Sequence, residues 1–107
     1  VDTRTSVDAL IADYARALES RDIAEVRRAY PGLTADQERA LVDALAFMEE
    51  LRAELHVDSL DDQGDTATAE VSGTYFFSAD GRAQQAPISF TATFERVSNV
   101  WRLATTR

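Results

Sequence analysis

The stretch Leu51-Arg52-Ala53-Glu54-Leu55-His56-Val57-Asp58 sets an apolar side chain at every second position and a polar or charged one between. Successive strand residues point to opposite faces, so Leu51, Ala53, Leu55 and Val57 make one dry face and Arg52, Glu54, His56 and Asp58 one wet face. Upstream the apolar spacing is helical, and downstream it keeps alternating. The chain therefore switches its period from about 3.6 residues to about 2 at this point.

Working back from the switch, Thr34 and Gln37 form a capping-box pair ahead of Leu41, Leu45 and Met48, which predicts a helix to about Glu49. Pro31-Gly32 separates it from a short helix carrying Ile23, Val26 and Tyr30, capped by Asp22. Ser6 stands before Val7, Leu10, Ile11, Tyr14, Ala15 and Leu18 and predicts a first helix over about residues 7–20. Working forward, Asp61-Asp62-Gln63-Gly64-Asp65 reads as a turn. Val71, Gly73, Tyr75 and Phe77 then alternate with Glu70, Ser72, Thr74 and Phe76. Asp80-Gly81 closes a hairpin into Ala86, Ile88, Phe90, Ala92 and Phe94, opposed by Pro87, Ser89, Thr91, Thr93 and Glu95. Ser98-Asn99 turns into Val100-Trp101-Arg102-Leu103. The expected fold is α+β, one domain over residues 1–107, with three N-terminal helices covering one face of a four-stranded antiparallel meander.

Composition agrees with a single folded unit. The chain has 107 residues, 45% hydrophobic and 28% charged, which is the balance of a globular domain and not of a disordered or collagen-like chain. No stretch approaches the roughly 20 apolar residues that span a bilayer, so direct membrane insertion by this piece is not expected. All eleven basic residues are Arg, against nineteen acids, for a net charge of −8. Residues 1–53 carry seven Arg and eleven acids and residues 54–107 four and eight, so each half sums to −4 and no basic stripe for nucleic acid emerges. The absence of cysteine excludes disulfides, zinc–thiolate sites and thiol nucleophiles and leaves the compartment, cytoplasmic or extracytoplasmic, undetermined. Val1 opens the chain without a charged-then-apolar leader, which predicts that any targeting or anchoring segment lies outside this piece and that the piece is excised or processed.

The run Tyr14-Ala15-Arg16-Ala17-Leu18-Glu19-Ser20-Arg21-Asp22, ending a helix in a polar turn with Asp, resembles the nuclear transport factor 2-like superfamily, also called cystatin-like or SnoaL-like. The closing pattern Phe90-x-Ala92-x-Phe94 followed by Val100-Trp101-Arg102-Leu103 resembles that superfamily's last strand pair. The resemblance covers about the whole chain and implies a cone, a strongly curved sheet wrapped around three helices with a pocket at its open end. The Tyr30-Pro31-Gly32-Leu33-Thr34 junction, followed directly by a helix, is similar to small domains appended to larger bacterial proteins, including carboxy-terminal ends of membrane-anchored serine/threonine kinases. Enzymes of the superfamily place an Asp base, a Tyr donor or a His inside the cone. Here the stretch where they carry an early strand hairpin with catalytic acids is occupied by Pro31-Gly32-Leu33 and the third helix.

The alternation points Leu51, Leu55, Val57, Val71, Tyr75, Phe77, Ile88, Phe90, Phe94, Trp101 and Leu103 inward, and none of these is a carboxylate, His or Lys. The expected ligand pocket is lined by Tyr14, Tyr30, Tyr75, Phe77, Phe90 and Trp101, an apolar cavity with a few hydroxyls that suits recognition better than proton transfer. The same tyrosines could equally pack their rings in the core with their hydroxyls at its rim. A Glu54–His56–Asp58 metal site and a calcium loop at Asp58, Asp61, Asp62 and Asp65 both read better as solvated surface, so no metal and no cofactor is expected. Phe76, Ser89, Thr91 and Thr93 fall on the outer sheet face, a surface suited either to a second copy of the chain or to solvent. The expected function is a non-catalytic accessory or sensor module within a larger bacterial protein, binding a small apolar ligand or a protein partner. The alternatives are a small SnoaL-like isomerase, cyclase or hydrolase, with Asp13, Asp36 or Asp43 turned inward as its acid, and a purely structural dimerisation domain.

Overall fold

Val7, Ile11, Tyr14 and Leu18 recur at steps of three and four, and helix α1 (Thr3–Ser20) turns all four into the core. The computed structural model describes residues 3–107, and α1 begins upstream of the expected Ser6 cap. Thr3-Arg4-Thr5-Ser6 contains no helix breaker and Arg4 pairs with Asp8 one turn ahead, so Ser6 lies inside the helix. Arg21, at φ +58°, turns the chain into α2 (Ile23–Ala29), whose cap Asp22 accepts the Ala24 N–H at 3.0 Å. Helix α3 (Ala35–Phe47) carries the expected Thr34–Gln37 capping box. It stops at Phe47, not Glu49, because Glu49 already pairs with Ser78 in the sheet.

Strands β1 (Glu49–Asp62), β2 (Thr66–Ala79), β3 (Arg82–Val97) and β4 (Val100–Thr106) form the expected antiparallel meander in chain order. The β2–β3 and β3–β4 turns, Asp80-Gly81 and Ser98-Asn99, hold both central residues at positive φ, the backbone of a primed two-residue hairpin. Strands β2 and β3 run further than the apolar alternation suggested, because polar residues such as Thr66, Arg82 and Gln84 continue the ladder. Their hairpin overhangs β4, which pairs with β3 only over residues 92–97, and the molecule measures 46 × 26 × 20 Å.

Curvature is built in at named positions. Register shifts between Glu49 and Arg52, between Val57 and Ser59, and between Thr93 and Phe94 mark bulges, each of which raises the local twist. At Gly73 the coil is tight enough that an added Cβ would lie 1.8 Å from the Glu54 carbonyl oxygen of the neighbouring strand. Gly32, in the α2–α3 junction, approaches β4 as closely, at 1.8 Å from the Ala104 carbonyl oxygen on the same test.

Helix α1 also covers the free edge of β1. Arg4 donates to the Val57 carbonyl at 3.0 Å and Glu19 accepts the Ala53 N–H at 3.0 Å. The other edge is managed differently. Thr91 exchanges two hydrogen bonds with Arg107, beyond which β3 has no neighbour on that side over residues 82–90. Alternation from Thr91 turns the backbones of Ser89, Pro87, Gln85 and Ala83 to this open edge, and Pro87 offers no donor there.

Of the residues expected to point inward, Leu51, Val57, Val71, Phe94 and Leu103 are buried, whereas Leu55, Tyr75, Phe77, Ile88, Phe90 and Trp101 are only partly so. The floor beneath the helices is made instead by Ala53, Ala67, Ala69 and Ala92, small enough for the helices to approach the sheet. Strand length exceeds helical cover, and the larger side chains lie where cover thins.

Candidate functional site

The thinnest cover is under α3, whose one fully buried side chain is Leu45. Both ends of α3 are pinned. At its start the Tyr30 hydroxyl donates to Gln37 Oε1 at 3.2 Å and accepts the Thr106 N–H at 2.8 Å, while Arg27 pairs with Glu38. At its end Arg21 donates to the Leu45 carbonyl at 3.2 Å and the Phe47 ring meets Phe77 edge-on, centroids 6.3 Å apart. Between these pins lies an open cleft of about 270 Å³, walled by Tyr14, Tyr30, Leu33, Gln37, Ala40, Leu41, Ala44 and Thr106. No carboxylate or imidazole lines it.

Two of the six expected ligand residues, Tyr14 and Tyr30, line this cleft, and their rings meet edge-on at 6.0 Å. Phe90 packs against the other side of Tyr14 at 6.3 Å. Tyr75 stands near enough to act electrostatically on Tyr14. The remaining two are elsewhere: Phe77 belongs with Phe47 at the far end of α3, and Trp101 lies beneath the Arg96 guanidinium, 5.6 Å from its ring centroid. The expected single pocket is thus divided, because the overhang carries Phe77 outward and β4 carries Trp101 to its opposite tip.

Burial raises the Tyr14 phenol well above its ordinary pKa, helped by Tyr75 and Tyr30, and pushes Tyr75 up to about 12. Both therefore stay protonated at neutral pH, able to donate a hydrogen bond but not to act as bases. The Tyr30 hydroxyl is already used. Tyr14 makes no hydrogen bond to any described residue, which leaves its O–H for whatever enters the cleft.

The carboxylates offered for catalysis lie in solvent. Asp13 pairs with Arg16, and Asp36, with 91% of its side chain exposed, faces Arg39. Asp43 is exposed, and no polar or charged residue is buried among the described residues.

The outer face holds a constellation that the alternation alone did not signal. Strand pairing sets His56 opposite Ser72, and Ser72 Oγ donates to Asp58 Oδ2 at 2.6 Å while His56 Nε2 lies 3.1 Å from Ser72 Oγ and 3.2 Å from Asp58 Oδ1. A Ser–His–Asp relay needs two ring nitrogens, one for the serine and one for the acid. Here one nitrogen serves both and the serine proton goes to the acid, so the cluster is a surface network. No group of three His, Cys, Asp or Glu able to hold a metal occurs among the described residues. In the acidic loop, Asp65 pairs with Arg96 and Asp62 accepts the Gly64 N–H, a bond that holds its carboxyl below the usual range. On the same outer face, Phe76 is half-buried beneath Arg52, 4.7 Å from its ring centroid, and Thr91 donates to Glu70. Ser89 is exposed and Thr93 half-buried.

No protein-family model matches the chain, and no curated protein matches it in sequence. Solved structures do resemble it in fold. A nuclear transport factor 2-like protein with a cystatin-like fold from Novosphingobium aromaticivorans superposes at a TM-score of 0.74 with 22% identity, over 96% of this chain and 78% of that one. A nuclear transport factor 2-like superfamily protein from Salmonella enterica gives 0.77 at 11% identity, over 97% and 87%. The hexachlorocyclohexane dehydrochlorinase LinA-type3 from Novosphingobium barchaimii gives 0.76 at 11%, over 97% and 83%. The chain has a nuclear transport factor 2-like fold, and at these identities the likeness is one of architecture.

Proposed function

We propose that the domain is a non-catalytic binding module that takes a small apolar ligand, carrying one hydrogen-bond acceptor, in the cleft between α1, α3 and the end of β4. The observation that carries this reading is the chemistry of the cleft wall: aliphatic and aromatic side chains around one unspent phenol, that of Tyr14, with no acid or imidazole to move a proton. Recognition sites have this character, mostly apolar with a few placed polar groups. A dehydrochlorinase shares the fold, but an isomerase, cyclase or hydrolase reading of this chain asks for an inward acid, and Asp13, Asp36 and Asp43 all face water. As an accessory domain of a larger bacterial protein, the module would signal occupancy through α3, with a second copy against Phe76, Ser89, Thr91 and Thr93 as its further partner.

The test is Nile red, a neutral apolar dye, titrated against the wild type and two variants. Ala44→Trp fills the cleft and should abolish dye enhancement while retaining the wild-type far-UV spectrum. Asp61→Asn, exposed on β1 and lining neither the cleft nor the hollow beside Phe47 and Phe77, should leave enhancement unchanged. Equal enhancement in folded Ala44→Trp, or none in the wild type, overturns the reading.

A further inference from the structure

Beyond the cleft, the overhanging β2–β3 hairpin encloses a second hollow with the C-terminal end of α3. It measures about 580 Å³ and is lined by Phe47, Phe77, Ala79, Asp80, Arg82 and Gln84, none of which lines the cleft. The pairing of Phe77 with Gln84 and of Ala79 with Arg82 puts these four positions on the inner sheet face, above the edge-to-face pair of Phe47 and Phe77.

Two features of this hollow bear on what it can hold. Phe47 is 58% exposed although it ends the helix that covers the cone. The Arg82 side chain makes no hydrogen bond or ion pair with any described residue, whereas Arg16, Arg27, Arg28, Arg39, Arg52, Arg96 and Arg102 each pair with an acid. Arg21 and Arg107 also lack an acidic partner among the described residues, but Arg21 donates to the Leu45 carbonyl and neither of the two lines this hollow, so Arg82 is the arginine that stands without an acid beside the exposed aromatic shelf. Guanidinium groups match carboxylates with a planar, two-pronged hydrogen bond, and a flat ring is what an aromatic edge and face accept. Asp80, on the turn, also lines the hollow and repels negative charge, so one carboxylate is a better match than several.

We propose that this hollow is a second binding site, for a small aromatic monocarboxylate whose ring lies on Phe47 and Phe77 and whose carboxylate is held by Arg82. The site is independent of the cleft reading, and either can fail alone.

The experiment is calorimetric titration of the whole chain with 2-naphthoate and with neutral 2-naphthamide, at low and at high salt. The wild type should bind naphthoate about tenfold more tightly than the amide, with salt removing the difference. Arg82→Gln should cancel the preference without unfolding the protein, since its side chain is exposed and unpartnered. Phe47→Ser should weaken both compounds. Equal affinity for acid and amide, a preference that survives Arg82→Gln, or no binding of either compound overturns the proposal. Sedimentation run alongside checks the competing occupant: a dimer that Arg82→Gln dissolves would assign the hollow to a second copy and overturn it too.

Discussion

The Tyr30 hydroxyl accepts the backbone N–H of Thr106 at 2.8 Å, across 76 residues of chain, and donates its own hydrogen bond to Gln37 Oε1 at 3.2 Å. One buried phenol thereby joins the end of α2, the capping box of α3 and the end of β4. Tyr30→Phe keeps the ring and removes the joint, leaving the Thr106 N–H without its acceptor. The expected loss is roughly 1–3 kcal/mol, the cost of an unsatisfied buried donor, read as a lower urea midpoint with unchanged slope. Hydrogen exchange at the Thr106 amide should speed up more than at amides in the centre of β2.

Gly73 is required by the bend of the sheet and not by a turn. A methyl group there would collide with the Glu54 backbone, which cannot rotate away as a side chain can. Gly73→Ala should cost at least the roughly 1–3 kcal/mol typical of overpacking. A thermal melt within a degree of the wild type would show that β1 yields at that point.

Pro87 keeps the open edge of β3 from pairing. Pro87→Thr restores a donor to an otherwise regular strand edge and should raise self-association above that of the wild type at matched high concentration. Sedimentation velocity across a concentration series reads the difference, and identical profiles would refute the role given to Pro87.

The buried phenols set a pH response. The folded state holds the protons of Tyr14 and Tyr75 more tightly than the unfolded chain, whose tyrosines ionise near 10. Their contribution is complete below about pH 10 and is lost as pH rises toward the folded values, about 12 for Tyr75, with a slope of up to about 1.4 kcal/mol per pH unit per tyrosine. Stability to urea should be flat from neutrality and fall above this threshold. Tyr75→Phe should make the fall shallower.

Much of the architecture was legible because it rests on local rules. The period switch, the caps Asp22 and Thr34 and the turn residues Asp80-Gly81 and Ser98-Asn99 each act within a few positions; the caps and both turns fall where expected, and the switch comes two residues before Leu51, at Glu49. Ser6 misled because a serine cannot cap a helix that continues through it. The ligand residues were legible only in part. Alternation says which face Phe77 and Trp101 occupy, but how far along the face the helices reach depends on strand length and on α3's placement, both long-range properties. The Ser72, His56 and Asp58 cluster stayed hidden for the same reason: it depends on the β1–β2 register and on a bulge at Asp58.

The cleft beneath α3 is the centre of this account, and the most direct measurement is a nuclear magnetic resonance titration with 2-acetonaphthone, a neutral two-ring probe bearing one carbonyl. The predicted result is saturable shifts of the Leu33, Leu41 and Ala44 methyl groups and the Tyr14 ring, weakened by Tyr14→Phe, which deletes the donor for the carbonyl. Shifts that never saturate, or that map to the outer sheet face around Phe76 and Thr91, would contradict it.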